Sequence, residues 1–426
     1  MRSTAEGELR LVIVMVGLPA RGKTAVARKL QRYLSWLGYR TVVTNVGDYR
    51  RTLAGAHHRA DYFDPNNRDA YAERSRFAEQ ALDDMLSFLR GGGQIGIYDA
   101  TNTERGRRDL VHERCTAAGA AVVFVETISS NPDFVERNIR NNKLLSPDYA
   151  GEDAERAIAD FRRRIAHYES TYAPVCEESR SFVKVVDDGR QVIINRMDGY
   201  FLARLAFFLM HIHPAERPIR LTRHGESLHN VEGRIGGDTR LTERGRRYAR
   251  RLAALVAERN TLGDRGSVVW TSTLLRAVET ARTCTSKPVV WRALDEIDAG
   301  VCDGLTYAEI AARWPEEAEA RQQDKLHYRY PRGESYHDVI ARLEPLIVDL
   351  EQQRSAVLVV SHQGVLRVLY GYLMGIPQER CPHIDIPLHT LIELTPTEPG
   401  YQEQRFCLDD PSVPPAIEPR LGGASS

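Results

Sequence analysis

The segment at residues 12–24 most constrains the fold, because it joins an apolar run to a turn with the pattern Gly-x-x-x-x-Gly-Lys-Thr. The β-branched side chains of the run predict a buried strand that leads into a helix. Gly17 and Gly22 let the backbone approach an anion closely, and the N-terminal amides of the helix point towards it. The pattern therefore predicts a phosphate-binding loop, in which Lys23 neutralises phosphate charge and Thr24 can ligate Mg²⁺. The alternative is a glycine-rich turn that binds nothing.

The composition is that of a globular protein without a strong overall charge. The chain has 426 residues, enough for two or three domains, and 42% of them are hydrophobic. Lys and Arg together number 58, as do Asp and Glu, so no overall field would attract nucleic acid or an anionic membrane. Six cysteines without C-x-x-C spacing argue against a zinc site and for a reducing compartment. No apolar stretch reaches transmembrane length, and we expect a cytoplasmic protein.

Strands and helices alternate through the first half of the chain. Strands are predicted at residues 11–16, 41–46, 94–98, 122–126, 183–187 and 191–195, the last two joined by a turn at 188–189. Helices are predicted at residues 24–37, around 73–76, and at 131–143, 146–172 and 202–213. This alternation predicts a parallel sheet with helices on both faces.

Polar residues follow two of these strands, at the edge where open α/β sheets bind ligands. Residues 45–51 follow one strand, and a solvated loop is the alternative interpretation there. Asp99 follows another strand, where a lone aspartate would more often cap a helix. Beside a phosphate loop, Asp99 is better interpreted as a Mg²⁺ ligand or a base, and both roles remain open.

Prolines 214 and 218 follow an apolar helical segment and mark a domain boundary. We predict domains at residues 1–217 and 218–410. Residues 411–426, rich in Pro, Gly, Ala and Ser, are predicted to form a short flexible tail.

Polar groups also follow predicted strands in the second half, at residues 219–222, 268–271 and 357–360. We expect Arg223, His224, Arg276 and His362 to converge on one rim, together with Glu296, each at a strand end. An isolated histidine is more often structural, but this group suits phosphoryl transfer through a covalent histidine. In that interpretation His224 attacks phosphorus, the arginines and His362 hold oxygens, and Glu296 moves the proton.

These residues resemble those of the histidine phosphatase, phosphoglycerate mutase-like family. Their fusion to a phosphate-loop kinase is similar to the bifunctional 6-phosphofructo-2-kinase/fructose-2,6-bisphosphatase family. The resemblance runs from about residue 10 to 400 and is carried by residues 17–24, 45–51, 63–66, 99–103, 146–149, 221–230, 233–238, 294–302, 328–336 and 387–390. It implies two α/β domains, each a mainly parallel sheet with helices on both faces. It also implies synthesis of fructose 2,6-bisphosphate from ATP and fructose 6-phosphate, its hydrolysis through phosphohistidine, and a homodimer.

The resemblance implies specific site residues, and Mg²⁺ bound by Thr24 and Asp99. Nucleotide binding is implied for Gly17, Leu18, Pro19, Ala20, Arg21, Gly22, Lys23, Thr24, Asn138 and Lys143. Fructose 6-phosphate binding is implied for Arg50, Arg74, Thr101, Arg107, Lys143, Arg196 and Tyr200. Fructose 2,6-bisphosphate binding is implied for Arg223, Asn230, Gly236, Tyr307, Arg321, Lys325, Tyr336, Gln363 and Arg367. Catalytic roles are implied for Lys23, Asp99, Arg223, His224, Arg276, Glu296 and His362.

The chain departs from the family pattern at three points. Ser129 stands where the family usually has cysteine, and an alcohol without an adjacent base is a poor nucleophile, so we predict no such role for it. Arg276 stands where the animal enzymes tend to have lysine, and arginine is usual in the wider phosphatase family. Because the segments before the phosphate loop and after about residue 410 are short, we do not expect regulation by phosphorylated terminal segments. The alternatives are a kinase for another small metabolite fused to a histidine phosphatase, or a nucleotide-binding regulatory protein with one inactive site.

Overall fold

The structure, a computed structural model, describes residues 9–144, 146–187, 189–212, 217–261, 266–397 and 400–409, without the side chains of residues 142, 143 and 261. The chain divides into two compact units, Met1–Pro214 and Ala215–Ser426. The predicted turn residue Asp188, the junction residue Pro214 and the tail at 411–426 lie outside the described residues. In the described part of the chain, no helix has the length and apolar character to span a bilayer.

The first unit is built around one six-stranded sheet. Its elements are β1 (Leu11–Val16), α1 (Lys23–Trp36), β2 (Thr41–Asn45), α2 (Val46–Ala54), α3 (Arg68–Arg90), β3 (Ile95–Asp99), α4 (Arg105–Ala117), β4 (Ala121–Ile128), α5 (Pro132–Asn138), α6 (Ala154–Glu169), β5 (Ser181–Val186), β6 (Gln191–Asn195) and α7 (Tyr200–His211). The strand order is β2-β3-β1-β4-β5-β6. Strands β1 to β5 are parallel, and β6 is antiparallel to β5. Every residue of β1 is buried, as expected for a strand covered by helices on both faces.

The structure excludes one alternative and corrects one prediction in this unit. Residues 46–54 form helix α2, which excludes the alternative of a solvated loop there, because the side chain of Asn45 accepts a hydrogen bond from the Asp48 amide and caps the helix. The helix expected over residues 146–172 is confined to α6, whose N-cap is Asp153. The turns before Asp153 place Asp148 beside Arg50.

The second unit is also built on a six-stranded sheet. Its elements are β7 (Ile219–Arg223), α8 (Leu228–Glu232), α9 (Glu243–Thr261), β8 (Val268–Thr271), α10 (Leu275–Cys284), β9 (Val289–Val290), α11 (Tyr307–Arg313), α12 (Pro315–Gln323), α13 (Tyr336–Gln352), β10 (Val357–Ser361), α14 (Gln363–Met374), β11 (Thr390–Pro396) and β12 (Tyr401–Cys407). The strand order is β12-β11-β7-β10-β8-β9. Strands β7, β10, β8 and β9 are parallel, while β11 and β12 are antiparallel to their neighbours. The predicted fold class, a mainly parallel sheet in each half, is confirmed.

The parallel register brings the carboxyl ends of β7, β8 and β10 together. Arg223 pairs with Ser361, and Thr271 pairs with Val360, so the residues that follow these strands meet at one edge. Glu296 is an exception, since it follows the short 3-10 turn Arg292–Leu294 and not a strand. The expectation that every polar group of this set ends a strand is therefore wrong for Glu296.

Candidate active sites

The turn between β1 and α1 has the backbone that a phosphate loop requires. The amide of Gly17 donates to the Thr101 carbonyl at 2.9 Å. Gly17 has φ +137°, and a Cβ atom there would lie 2.5 Å from the Thr127 carbonyl oxygen, so this position needs glycine. Ala20 also has positive φ, at 58°. Lys23 is buried and its Nζ donates to the Leu18 carbonyl at 2.6 Å, which holds the ammonium against the loop.

Two side chains hold the loop from outside. The Asn138 amide donates to the Ala20 carbonyl at 3.1 Å, and the Arg21 Nε donates to the Ser129 carbonyl at 3.1 Å. Burial lowers the pKa of Arg21, against the charge of Glu169. The Ser129 hydroxyl is itself buried and has no hydrogen-bond partner among the described residues.

A mostly apolar pocket adjoins the loop. Its lining residues are Arg21, Gly22, Val26, Thr127, Phe134, Val185, Leu209 and Ile212. Apart from Arg21 and Thr127, these residues present no polar side chain to the pocket. The pocket has a volume of about 20 Å³, the space of a single water-sized group.

Asp99 ends β3, the strand beside β1, and is buried. One of its carboxylate oxygens accepts a hydrogen bond from the Asn45 amide at 2.6 Å. It caps no helix, because α4 begins at Arg105 with Glu104 as its N-cap residue. Thr24, in the first turn of α1, is half-buried. No group of three or more His, Cys, Asp or Glu side chains could hold a metal ion in the described part of the chain. The Thr24 hydroxyl and the Asp99 carboxylate nevertheless carry oxygen atoms of the kind that Mg²⁺ prefers as ligands.

Three arginines surround the ring of Phe63. The guanidinium carbons of Arg50 and Arg74 lie 5.6 Å from the ring centroid, and that of Arg164 lies 3.7 Å away. Asp148 is buried beside them, accepting from Arg50 at 2.7 Å and lying 3.6 Å from Arg164. Burial acts to raise the pKa of Asp148, but the hydrogen bond and charges of the arginines outweigh it, and the pKa is lowered. Positive charge exceeds negative charge in this cluster, which suits an anionic ligand.

Arg107 lies near the same group. Its Nε donates to the Asn102 side chain at 3.3 Å, and Asn102 in turn donates to the Met15 carbonyl at the end of β1. Burial lowers the pKa of Arg74, and the positive charges of Arg107 and Arg164 act in the same direction. Arg107 thus connects the arginine cluster to the edge that carries the phosphate loop. The side chain of Lys143, expected here, lies outside the described part of the structure.

The structure does not bring Arg196 and Tyr200 to this cluster. Because β6 is antiparallel and Asn195 pairs with Phe182, Arg196 leaves the sheet at the edge opposite the phosphate loop. Strand β6 is also five strands from β2, about 24 Å across the sheet. Tyr200 is 79% exposed at the start of α7.

Arg164 and Tyr168 on α6 occupy the place expected for that pair, and the sequence interpretation missed both. The Tyr168 ring is half-buried and lies 6.1 Å from the Phe63 ring. Their spacing of four residues puts both side chains on one face of the helix.

In the second unit, His224 is held as a neutral imidazole with a specific orientation. Its Nδ1 lies 2.7 Å from the Gly225 carbonyl, which can only accept, so Nδ1 carries the proton. Its Nε2 accepts from the Arg276 Nε at 3.1 Å. Burial and the charge of Arg276 hold the pKa of His224 well below its ordinary value. The Nε2 lone pair therefore remains available at neutral pH.

His362 lies beside His224, with 5.0 Å between the ring centroids. Its Nε2 is 2.7 Å from the Ser272 hydroxyl, and its Nδ1 is buried with no partner in the described residues. Burial and the charge of Arg276 hold its pKa well below the ordinary value as well. One ring nitrogen of His362 is thus left for a ligand.

Arg223 and Glu296 complete the group. Arg223 donates to the Ile386 carbonyl at 3.2 Å while its buried Nε has no partner among the described residues. Burial lowers the pKa of Arg223 to about 10, although the charge of Glu296 opposes this shift. The Glu296 carboxylate accepts from the amide of Gly364 at 3.1 Å. A Cβ atom on Gly364 would lie 2.6 Å from that carboxylate, so the glycine permits Glu296 to reach the rim.

A cavity of about 260 Å³ opens over these residues. It brings together all the sequence-expected residues of this half except His362, which lies beneath it; the lining includes Arg223, His224, Asn230, Gly236, Arg276, Glu296, Tyr307, Arg321, Lys325, Tyr336, Gln363 and Arg367. Its lining carries six arginine or lysine side chains and one carboxylate, that of Glu296. Burial, with the charges of Arg367 and Arg321, lowers the pKa of Lys325 to about 8. The excess of positive charge suits a ligand with more than one phosphate.

Several lining residues also have structural partners. The Ser227 hydroxyl donates to the Asn230 side chain at 3.0 Å as part of a helix cap, so it is engaged and has no adjacent base. The Arg367 Nη1 donates to the Tyr336 hydroxyl, and the Arg321 Nη2 to that of Tyr307. Arg234, Tyr328 and Tyr330 also line the cavity and were missed by the sequence interpretation.

Comparison with known proteins identifies both halves of the chain. A family model described as 6-phosphofructo-2-kinase matches residues 1–216, and one described as histidine phosphatase superfamily (branch 1) matches residues 219–409. The Arabidopsis thaliana protein named 6-phosphofructo-2-kinase/fructose-2,6-bisphosphatase is 48% identical over 406 residues, which cover 94% of this chain and 54% of that protein. The Caenorhabditis elegans protein of the same name is 47% identical, covering 93% of this chain and 89% of that protein.

A Saccharomyces cerevisiae protein named fructose-2,6-bisphosphatase is 41% identical, covering 96% of this chain and 91% of its own length. The chain thus spans about half the length of the plant relative and most of the length of the other two. The resemblance expected from the motifs is confirmed. The chain belongs to the 6-phosphofructo-2-kinase/fructose-2,6-bisphosphatase family.

Proposed function

We propose that this chain synthesises fructose 2,6-bisphosphate from ATP and fructose 6-phosphate at one site and hydrolyses its 2-phosphate at another. The observation that carries the proposal is the presence, in one chain, of a phosphate loop beside an arginine cluster and a neutral buried histidine in a cation-lined cavity. We assign the kinase to residues 1–217 and the phosphatase to residues 218–410, with 411–426 as a tail.

In the kinase, the nucleotide phosphates lie in the loop at residues 17–24. The 6-phosphate of the sugar binds the arginines around Phe63, which are Arg50, Arg74 and Arg164, with Arg107 on the side nearer the loop. This set replaces Arg196 and Tyr200 by Arg164 and Tyr168. It places the cations for the sugar phosphate on the edge that carries the loop.

Lys23 and Asp99 assist the transfer. Lys23, now bonded to the Leu18 carbonyl, turns to the β and γ phosphates and stabilises the charge that develops on the transferred group. Thr24 and Asp99 would hold Mg²⁺, which would supply further neutralisation of phosphate charge. Asn45 keeps the Asp99 carboxylate oriented through its hydrogen bond. The 2-hydroxyl of the sugar attacks the γ-phosphorus, the bond between that phosphorus and the β-phosphate oxygen breaks to release ADP, and the hydroxyl proton leaves to Asp99 or to water.

In the phosphatase, the Nε2 of His224 attacks the 2-phosphorus. The bond between phosphorus and the sugar oxygen breaks as Glu296, acting as the general acid, gives a proton to that oxygen. Arg223, Arg276 and His362 stabilise the phosphoryl oxygens. Glu296 then takes a proton from water, whose oxygen displaces the histidine nitrogen and releases inorganic phosphate.

We also propose a cytoplasmic homodimer. Strand β6 is an edge strand with Ile193 and Ile194 exposed, and an exposed apolar edge favours pairing with a second copy. All six cysteines are free, which fits a reducing compartment. Sedimentation of the full chain, compared with an Ile194→Lys variant, tests the dimer.

Assays of the purified chain in both directions test the proposed function. We expect fructose 2,6-bisphosphate to form from ATP and fructose 6-phosphate, and to be hydrolysed in the absence of ATP. The name of the yeast relative favours a second candidate, a chain with phosphatase activity only. Hydrolysis without any synthesis at saturating ATP would support that candidate and refute the bifunctional one.

A further inference from the structure

The hydrogen bond between Ser272 and His362 lies entirely inside the second unit. Both side chains are fully buried, and 2.7 Å separates the Ser272 hydroxyl from the Nε2 of His362. Ser272 follows β8, and His362 follows the neighbouring strand β10. Building on the proposed phosphatase, we propose that Ser272 is a positioning residue that sets which nitrogen of His362 carries the proton.

The direction of this hydrogen bond follows from the other partners of Ser272. Its hydroxyl oxygen already accepts from the Leu274 amide at 3.3 Å. If His362 donated from Nε2 as well, the serine proton and the Nδ1 lone pair of His362 would both be buried without a partner in the described structure, and each unsatisfied buried polar group costs about 1–3 kcal/mol. If Ser272 donates to Nε2, only the Nδ1 proton lacks a partner, and a bound phosphoryl oxygen can accept it. The second arrangement is therefore favoured.

The consequence is a proton on Nδ1 of His362. This atom is buried and has no partner among the described residues, beside the imidazole that receives the phosphoryl group. A neutral imidazole with Nδ1–H donates one hydrogen bond to a phosphoryl oxygen. The opposite tautomer would present a lone pair to the same oxygen and repel it. Ser272 thus makes His362 a donor without requiring a second positive charge.

The two histidines are held as the same tautomer by different partners. His224 has its Nδ1 proton directed to a backbone carbonyl and its unprotonated Nε2 beside Arg276, whereas His362 has its Nε2 occupied by Ser272. The low pKa values of both rings keep them neutral near pH 7. The hydroxyl of Ser272 therefore gives the two histidines different roles. His362 donates a hydrogen bond to the phosphoryl group, whereas His224 is the nucleophile.

Nitrogen NMR of histidine-labelled full chain reads the tautomer directly. We expect His362 to show a protonated Nδ1 and an unprotonated Nε2 near pH 7, with the signal assigned by its loss in His362→Asn. Ser272→Ala should shift His362 towards the Nε2–H tautomer. A wild-type His362 protonated at Nε2, or an unchanged tautomer in Ser272→Ala, would overturn the inference.

Thr271→Val is the matched control. The Thr271 hydroxyl is equally buried, directly precedes Ser272 and has no hydrogen-bond partner in the described residues, so its removal changes packing little and leaves His362 bonded. We expect Ser272→Ala to lower kcat for hydrolysis about 10- to 100-fold, the size typical when an outer hydrogen bond to a functional histidine is lost. Inorganic phosphate should inhibit Ser272→Ala less strongly. An equal loss in Thr271→Val would assign the effect to packing and refute the role.

The two measurements separate this inference from the proposed function. The NMR result stands without any substrate, so a correct tautomer in a chain that does not hydrolyse fructose 2,6-bisphosphate would refute only the substrate. Hydrolysis by a chain with the wrong tautomer would refute only the role of Ser272.

Discussion

Replacing Arg164 by alanine tests the fructose 6-phosphate site proposed for the kinase. The Arg164 side chain is 16% exposed and lies 3.7 Å from the Phe63 ring, so it presents a largely desolvated charge. A hydrogen bond to a charged group contributes about 1.5–3 kcal/mol. At 1.4 kcal/mol for each factor of ten, loss of one such contact predicts a KM for fructose 6-phosphate raised about 10- to 150-fold.

The unit should remain folded in this variant. Asp148, the buried carboxylate next to Arg164, keeps its hydrogen bonds from Arg50 and its proximity to Arg51. No buried charge is therefore left unpaired, which is the situation that most strongly destabilises a protein. Thermal unfolding and the KM for ATP should change little.

The assay is the initial rate of fructose 2,6-bisphosphate synthesis against fructose 6-phosphate at saturating ATP. Arg196→Ala is the matched control, because it removes the same side chain from an exposed position at the opposite edge of the sheet. Substitutions that far from a site act independently, and we expect a change within about twofold. A larger effect of Arg196→Ala than of Arg164→Ala would refute the assignment of the arginine cluster.

Four further predictions concern the two sites. Lys23→Ala should abolish synthesis and leave hydrolysis largely intact; parallel loss of both activities in a folded chain would contradict two separate sites. Ser129→Ala should retain most kinase turnover, because the Ser129 hydroxyl has no described partner that could activate it, and a loss of about a hundredfold would show otherwise. After reaction with substrate labelled at the 2-phosphate, rapid quenching in base should trap an acid-labile label on the chain. This label should be absent in His224→Ala and should form or discharge slowly in Glu296→Gln. Label that persists in His224→Ala would point to another nucleophile. The pKa of both His224 and His362 lies below the ordinary 6.5, so the unfolded chain binds more protons than the folded chain as the pH falls. The free energy of unfolding should therefore decrease below about pH 6.5. Chemical denaturation at several pH values should show a smaller decrease in His224→Gln.

The convergence of the phosphatase residues could be predicted because it depends on strand direction alone. Arg223 ends one parallel strand, Ser272 and His362 each follow another, and parallel strands end at a common edge. Glu296 lies at the same rim although it follows no strand. Its carboxylate accepts a hydrogen bond from the Gly364 amide and occupies space that a side chain at residue 364 would fill. That contact joins residues 68 apart in the chain, and no local pattern encodes it.

For the arginines of the first unit, sequence spacing does not predict which residues lie together, whereas the sheet topology does. Arg164 with Tyr168 and Arg196 with Tyr200 have the same separation of four residues, so the spacing does not distinguish the two pairs. The sequence did contain a discriminating signal, since the strands predicted at 183–187 and 191–195 are joined by a short turn and must be antiparallel. If the first of them runs parallel to the phosphate-loop strand, the second ends at the opposite edge, and Arg196 with it. Strand direction therefore excludes Arg196 and Tyr200 from the arginine cluster without any knowledge of side-chain positions. The contact of Arg164 with Phe63, in contrast, depends on the packing of α6 against the turn Ala60–Phe63, which the sequence alone does not reveal.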